Sequence, residues 1–338
     1  MRPSLPLEVF LQAKGVLLDV RSPAEYAHAC LPKSVSFPLF TDSERAEVGT
    51  LYKRQGRQEA ITRGMELLAP RVEALCKHAA SLISGDKVKV YCWRGGMRSQ
   101  IIAGLLAIQG LESCTLQGGY KAYRKHCLET FSLCARLKLH VLGGMTGSRK
   151  TAILHALAEQ GEQVLDLEDL ARHRGSAFGG IGLAPQPSTE HFENCLAEQI
   201  HKLDLSRKVW IEDENRAIGT CALPKPLYEE MQKAPVTVFT RDVEERLDHL
   251  EDLYGDGGCD ALTRATIKLK KRLGGERTQQ ICALLTAGET REAFRLLLNY
   301  YDRAYEHAVS RREEKQVYTI SSVGRSVPEI VERLLNTT

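Results

Sequence analysis

The chain has 338 residues, more than one hydrophobic core usually organises, so two domains are expected. Its composition, 43% hydrophobic and 26% charged, excludes the disordered, fibrous and low-complexity classes. A net charge of +3 is too slight to announce a nucleic-acid partner by itself, and no apolar run approaches the roughly eighteen residues of a membrane helix.

The opening MRPSLPLEVFLQAKG holds a broken apolar run with Glu8 inside it, unlike a secretory signal, so the cytoplasm is the expected address and no membrane partner is expected. GVLLDV (15–20) reads as a buried strand entering the turn RSPAEY. A polar stretch with ERAEVGTLYKRQG (44–56) follows, then helical periodicity over 57–80. KVKVYC (87–92) alternates like a strand, and RSQIIAGLLAIQG (98–110) is helical up to Gly110 as its C-cap. CTLQGGYKAYRKH (114–126) adds a strand and a glycine turn, and LETFSLCARL (128–137) reads as a connection.

At KLHVLGGMTGSRKT (138–151) the strand, loop and helix pattern starts afresh. EQVLDLEDL (162–170), KVWIEDE (208–214) and PVTVFT (235–240) are apolar runs separated by helical stretches, which predicts a second, mostly parallel sheet. Beyond 242 helical patterns dominate, apart from the strand candidate QVYTISS (316–322). The expectation is an α/β chain divided into residues 1–135 and 136–338.

The ten cysteines (Cys30, Cys76, Cys92, Cys114, Cys127, Cys134, Cys195, Cys221, Cys259, Cys282) contain no C-x-x-C pair, which argues against a zinc ribbon or a dithiol centre. Nine read as reduced, small hydrophobes. Cys92 differs, because YCWRGGMRSQ (91–100) puts it between a strand and a helix, where backbone N–H groups converge on an anion. Gly95 and Gly96 supply the backbone freedom of such a cradle, Arg94 and Arg98 add charge, and Ser99 adds a hydrogen bond. The same field favours a nucleophilic thiolate. The spacing C-x5-R-S alone serves either phosphoryl or chalcogen chemistry.

GGMTGSRKT (143–151) lies between a strand and a helix, the context of a phosphate loop of the form G-x-x-x-x-G-K-[ST]. Gly144, Lys150 and Thr151 match, and Arg149 stands where the second glycine belongs. The N–H groups across Thr146, Gly147, Ser148 and Arg149 can wrap a diphosphate, with Lys150 on its oxygens and Thr151 on Mg²⁺. In VWIEDE (209–214) Asp213 is the first choice for the metal's acid and Glu212 the second. His173 and Arg174, in LEDLARHRGSAFGG (167–180), suggest a substrate or phosphate loop. TRATIKLKKRLGGER (263–277) clusters Arg264, Lys268, Lys271 and Arg272, with Arg277 beyond the glycines, as a candidate RNA-binding face. Tyr300, Tyr301 and Tyr305 read as core aromatics.

DVRSPAEY (19–26) followed by LPKSVSFPL (31–39) resembles the opening of rhodanese domains, which carry sulfur or selenium on a loop cysteine. Their loop is typically one residue shorter, and the longer form seen here suits a larger, phosphate-like donor. A rhodanese-like domain followed by a P-loop NTPase-like α/β domain with a helical C-terminal region resembles the tRNA 2-selenouridine synthase family. LQGGYKAYR, IEDENRAIG, KRLGGER and LLNYYDRAY extend the likeness over nearly the whole chain, with Arg149 replacing the family's glycine. The resemblance implies exchange of sulfur for selenium in wobble 2-thiouridine of tRNAs for Lys, Glu and Gln. It also implies selenophosphate as donor, a geranyl group from geranyl diphosphate on the departing sulfur, and possible contact with the selenophosphate-producing enzyme. Cys92 would then accept selenium as a perselenide, with Arg94, Arg98 and Ser99 holding phosphate, and Lys150, Thr151, Mg²⁺ and Asp213 would bind the diphosphate. A general sulfurtransferase, a C-x5-R cysteine phosphatase and an RNA-binding fold with decayed sites are the competing readings.

Overall fold

A computed structural model describes residues 3–255, 258–310 and 317–337. The chain folds as two compact units, Met1–Glu129 and Thr130–Thr338. The expected division at 135/136 lies at the end of a 3₁₀ helix, Phe131–Arg136, whose Phe131 and Cys134 are buried and which packs on the helix Lys225–Lys233 of the second unit.

In the first unit, strands β1 (Ser4–Leu5), β2 (Val16–Asp19), β3 (Val35–Ser36), β4 (Lys87–Tyr91) and β5 (Glu112–Leu116) form one parallel sheet in the order β1-β5-β4-β2-β3. Strand β4 is central and buried on both faces, so the alternation of KVKVYC is not that of a half-exposed strand. Its Lys89 is buried too, and its ammonium reaches the carbonyls of Phe10 and Leu11 at 3.3 and 3.4 Å. Val88, Val90 and Cys92 pack with Leu18, Phe37 and Ile102 into this unit's core.

Two helical stretches differ from expectation. The polar segment near 44–56 is a helix, Asp42–Arg54, opened by a Thr41/Glu44 capping box; it buries no residue, so it carries no apolar stripe for periodicity to detect. The region 57–80 is interrupted: helices Arg57–Leu68 and Val72–Leu82 flank a 3₁₀ turn at Pro70, which has no N–H to continue the ladder.

The second unit contains β6 (Lys138–Gly144), β7 (Gln163–Leu165), β8 (Lys208–Glu212), a short antiparallel pair β9 (Ala217–Ile218) and β10 (Cys221–Ala222), then β11 (Val236–Thr240) and β12 (Val317–Ser321). Its parallel sheet runs β12-β11-β6-β8-β7, with β6 in the middle. Ile153, Leu154, Trp210 and Leu334 belong to the core between this sheet and the helices Lys150–Glu159 and Val327–Thr337. A separate apolar cluster, including Leu250, Leu262, Ile281 and Leu297, holds together the helical region that follows β11. Among the described residues no helix is long and apolar enough to cross a membrane. In both sheets the central strand ends in a glycine-rich loop, at the carboxyl edge where open α/β sheets bind ligands.

Candidate functional site

Each unit builds its own centre. In the first, β4 delivers Cys92 to a loop that closes on the helix Met97–Ile108, whose first turn has no side-chain cap. Cys92 is 3% exposed. Its Sγ lies 3.3 Å from Ser99 Oγ, and that hydroxyl donates to the Gly96 carbonyl at 3.0 Å. Ser99 has one proton, so it can turn from that carbonyl to the sulfur when the sulfur becomes a thiolate.

The loop is gripped from behind by a second glycine turn. Tyr120 N–H donates to the Cys92 carbonyl at 2.8 Å and Lys121 N–H to that of Trp93 at 3.0 Å. Gly119, at φ 59°, has no room for a Cβ, which would collide with the Cys92 carbonyl and the Gly95 amide; Gly95, at φ 65°, is similarly blocked by the Leu116 carbonyl.

The two loop arginines divide. Arg94 is exposed, whereas Arg98 Nη1 is bonded to Glu25 Oε2 at 3.1 Å. Burial pushes the Glu25 carboxyl up, but the Ser22 amide and the charges of Arg98 and Arg45 outweigh it and hold the group below its ordinary pKa. Sequence reasoning passed over Arg21. It is fully buried, pairs with Asp19 at 2.6 Å and lies 4.0 Å from the Tyr120 ring centroid, while Tyr91 Oη donates to the same Asp19 at 2.7 Å. This network fixes the strand end that presents Cys92; its only sequence trace was the DVR of the first turn.

In the second unit, β6 runs into the phosphate loop and the helix Lys150–Glu159. Arg149 takes the left-handed conformation, φ 61° and ψ 31°, that the usual glycine would take. Lys150 Nζ donates to the Gly144 carbonyl at 2.8 Å, across the mouth of the loop. Two buried polar atoms here, Ser148 Oγ and Arg149 Nε, lack a partner. An anion in the loop would satisfy them.

The acid beside Thr151 differs from the first choice. Thr151 Oγ1 lies 2.7 Å from Glu212 Oε1 and 3.0 Å from Glu168 Oε2, because β8 aims Glu212 inward; Asp213 instead lines the cavity, with its Oδ2 3.5 Å from Tyr305 Oη. One hydroxyl proton cannot serve two carboxylates. Burial first, then Glu168, raises the pKa of Glu212, and the same causes push Glu214 up to about 8. Glu212 Oε2 is buried without a partner. Thr151, Glu212 and Glu168 are the hard oxygen donors that Mg²⁺ accepts, although no cluster of three or more His, Cys, Asp or Glu among the described residues forms a cage. The fit is therefore to an ion that shares phosphate oxygens and water.

A cavity of about 850 Å³ opens from this loop. It is lined by charged groups, among them Lys150, Arg149, Arg174 and Glu214, and by apolar and aromatic ones, Leu183, Leu250, Leu253, Tyr254 and Tyr301. His249 also lines it; burial, then the Arg149 charge, lowers its pKa. Tyr305, expected as a core aromatic, reaches the loop, where its oxygen accepts from Gly144 N–H at 2.6 Å and occupies the space a Cβ on Gly143 would need. Arg246 is fully buried, pairs with Asp302 at 2.5 Å and donates to the Thr146 carbonyl at 2.8 Å. Nothing in the sequence singled it out.

The remaining candidates scatter. Arg174 donates to the Ile181 carbonyl at 2.9 Å, and His173 is absent from the cavity lining, with Nδ1 buried and without a partner. The basic run is three helices, Cys259–Lys268, Lys270–Leu273 and Gly275–Thr286, interrupted at Leu269 and at Gly274, φ 86°. Arg264, Lys268, Lys271, Arg272 and Arg277 are all exposed, and of these Arg272 lines the cavity.

Each unit matches a known family. Residues 7–126 match the family model of the rhodanese-like domain, and residues 137–334 match that of the tRNA 2-selenouridine synthase AAA domain. A tRNA 2-selenouridine synthase of Shewanella denitrificans is 33% identical over 92% of this chain and 92% of that protein. One from Sulfurovum sp. is 35% identical over 89% of this chain and 91% of its own length. The chain belongs to the tRNA 2-selenouridine synthase family.

Proposed function

We propose that this protein is a tRNA 2-selenouridine synthase that replaces sulfur by selenium in wobble 2-thiouridine, with selenophosphate as donor and an S-geranyl intermediate made from geranyl diphosphate. The observation that carries the reading is one chain holding both a cysteine on a glycine-rich loop and a phosphate loop that opens into a cavity with apolar and aromatic side chains in its lining. Neither alone selects this chemistry. The pairing of Arg98 with Glu25 speaks against the phosphatase reading, in which the loop arginine must hold two phosphate oxygens.

In the first step the thiocarbonyl sulfur attacks carbon 1 of the geranyl group and diphosphate leaves with the C–O electron pair. Lys150, Arg149 and the loop amides neutralise the charge that develops on the leaving oxygen. Leu183, Leu250, Leu253, Tyr254 and Tyr301 in the cavity lining support the same assignment, because such side chains would cover the geranyl chain. Thr151 and Glu212 would hold Mg²⁺, with Asp213 close by; bound there, the ion would supply charge neutralisation of the diphosphate. In the second step a C–Se bond forms at carbon 2 and geranylthiolate departs with the C–S electron pair. Cys92 would carry the selenium as a Cys–S–Se group: its thiolate attacks selenium, the P–Se electron pair leaves on phosphorus as phosphite held by Arg94 and the loop amides, and a thiol reductant cleaves the S–Se bond once selenium is on carbon 2. Arg264, Lys268, Lys271, Arg272 and Arg277 would contact the tRNA anticodon arm. Donor supply implies proximity to the selenophosphate-producing enzyme in the cytoplasm.

The experiment is mass spectrometry of nucleosides from 2-thiouridine tRNA incubated with the protein, geranyl diphosphate, Mg²⁺, selenophosphate and a thiol reductant. The reading expects 2-selenouridine, and S-geranyl-2-thiouridine when selenophosphate is left out. An unchanged nucleoside on bound, intact tRNA overturns it.

A further inference from the structure

Beside the reactive cysteine, Trp93 is 36% exposed, although it is one of only two tryptophans in the chain and the other, Trp210, is completely buried. An indole left in water next to a nucleophile needs a reason, since its burial would be strongly favourable. Its covered side is built with care. The ring stacks on Tyr120 at a centroid distance of 5.5 Å and an interplanar angle of 28°. Tyr120 is buried and rests on the Arg21 guanidinium, 4.0 Å from its centroid, and Arg21 is locked by Asp19 and by the Ala29 carbonyl at 2.6 Å. The Trp93 carbonyl is tied down by Lys121 N–H. The result is a rigid column of guanidinium, phenol and indole.

We propose that Trp93 is a stacking platform for the pyrimidine base that the enzyme modifies, holding its carbon 2 beside Cys92. This rests on the reading that the substrate is a tRNA uridine. Single-stranded bases in RNA are recognised by stacking on aromatic side chains, and a platform fixed beforehand loses little freedom when the base arrives. A sulfur or selenium in place of oxygen leaves the flat face of the ring intact, so one platform serves the substrate, the alkylated intermediate and the product. Trp93 is a positioning residue for the base; it exchanges no proton or electron.

The test uses the full-length protein and two anticodon stem-loop RNAs, one with 2-thiouridine at the wobble position and one abasic there. The thiouridine RNA should quench the Trp93 emission and bind about tenfold more tightly than the abasic one. Trp93→Ala should erase that ratio while leaving the abasic affinity unchanged, and Trp93→Phe should recover most of it. A ratio that survives Trp93→Ala, or equal quenching by both RNAs, overturns the platform. A failure of the overall reading shows elsewhere, as RNA that binds with the expected ratio and never becomes 2-selenouridine.

Discussion

Two glycine-rich loops each stand at the carboxyl end of the central strand of a parallel sheet, and they differ in what surrounds them. The cysteine loop is shaped by exclusion. Gly95 and Gly119 pack backbone against backbone, and the Glu25 carboxylate is already occupied by Arg98 and Arg45. The phosphate loop is shaped by unbalanced charge. Glu168, Glu212 and Glu214 crowd Thr151 and Lys150 with raised pKa values, and buried polar atoms wait for partners. On the proposed function, the first loop would need only a single anion and a thiolate, whereas the second would be complete when diphosphate and a cation arrive together.

The most severe way to separate the two loops is Cys92→Ser. A hydroxyl cannot carry selenium, so 2-selenouridine should fall below detection while tRNA binding and geranyl transfer continue. Undiminished selenium incorporation, read by nucleoside mass spectrometry, would remove Cys92 from the mechanism. The reciprocal change, Lys150→Ala, deletes the charge at the departing diphosphate and should slow geranyl transfer by roughly a hundredfold to a thousandfold. Geranylation at the wild-type rate would show this lysine to be dispensable.

Sterics and charge can also be told apart through stability. Gly119→Ala would force a methyl group into the Cys92 carbonyl at a φ that disfavours any side chain, and should destabilise the first unit by about 3 kcal/mol. Hydrogen exchange read by mass spectrometry should register faster exchange across the first sheet and none across the second. Acid acts on the other unit. His140 is buried against Thr237 at 2.8 Å, and burial, then the Lys208 charge, lowers its pKa to about 4. Between its ordinary value of about 6.5 and that value, the unfolded chain binds a proton that the native imidazole refuses. His140 therefore contributes a loss of stability as pH falls through this window, of roughly 3 kcal/mol at most, set against the opposite contribution of the raised carboxyls Glu212 and Glu214. Urea unfolding at several pH values should show His140→Gln losing less stability than the wild type as pH falls through this window; equal slopes would place the acid sensitivity elsewhere.

How much of this could be read from sequence follows from what periodicity and motifs record. The strands that end at Cys92 and Gly144 were legible because buried parallel strands are short apolar runs beside glycine loops. The helix Asp42–Arg54 was not, since a helix with no buried face leaves no stripe; its only signal was Thr41 three residues before Glu44. Alternation could not decide between Glu212 and Asp213, because it depends on which face of β8 meets Thr151, a question of register with β6. Arg246 and Asp302 are 56 residues apart and meet only through tertiary packing. Trp93 sat within the most informative motif and stayed silent, because exposure and the Tyr120 stack exist only in three dimensions.

The subtlest test concerns Arg149, the one departure from the glycine pattern. Its backbone keeps the glycine conformation, so the loop has not been reshaped; the arginine instead bears a left-handed strain of about 1 to 2 kcal/mol, partly offset by the smaller entropy it loses on folding. A strained residue persists where its side chain contributes something, and its buried Nε without a partner sits beside the cavity that Lys150 and His249 also line. Arg149→Gly should therefore raise the stability of the second unit by up to about 1 kcal/mol and weaken binding of inorganic diphosphate several-fold. Melting temperature and a calorimetric titration read the two effects separately. A variant that is more stable and also binds diphosphate more tightly would make the arginine an obstruction, and the charge that completes this loop would then be Lys150 and the metal alone.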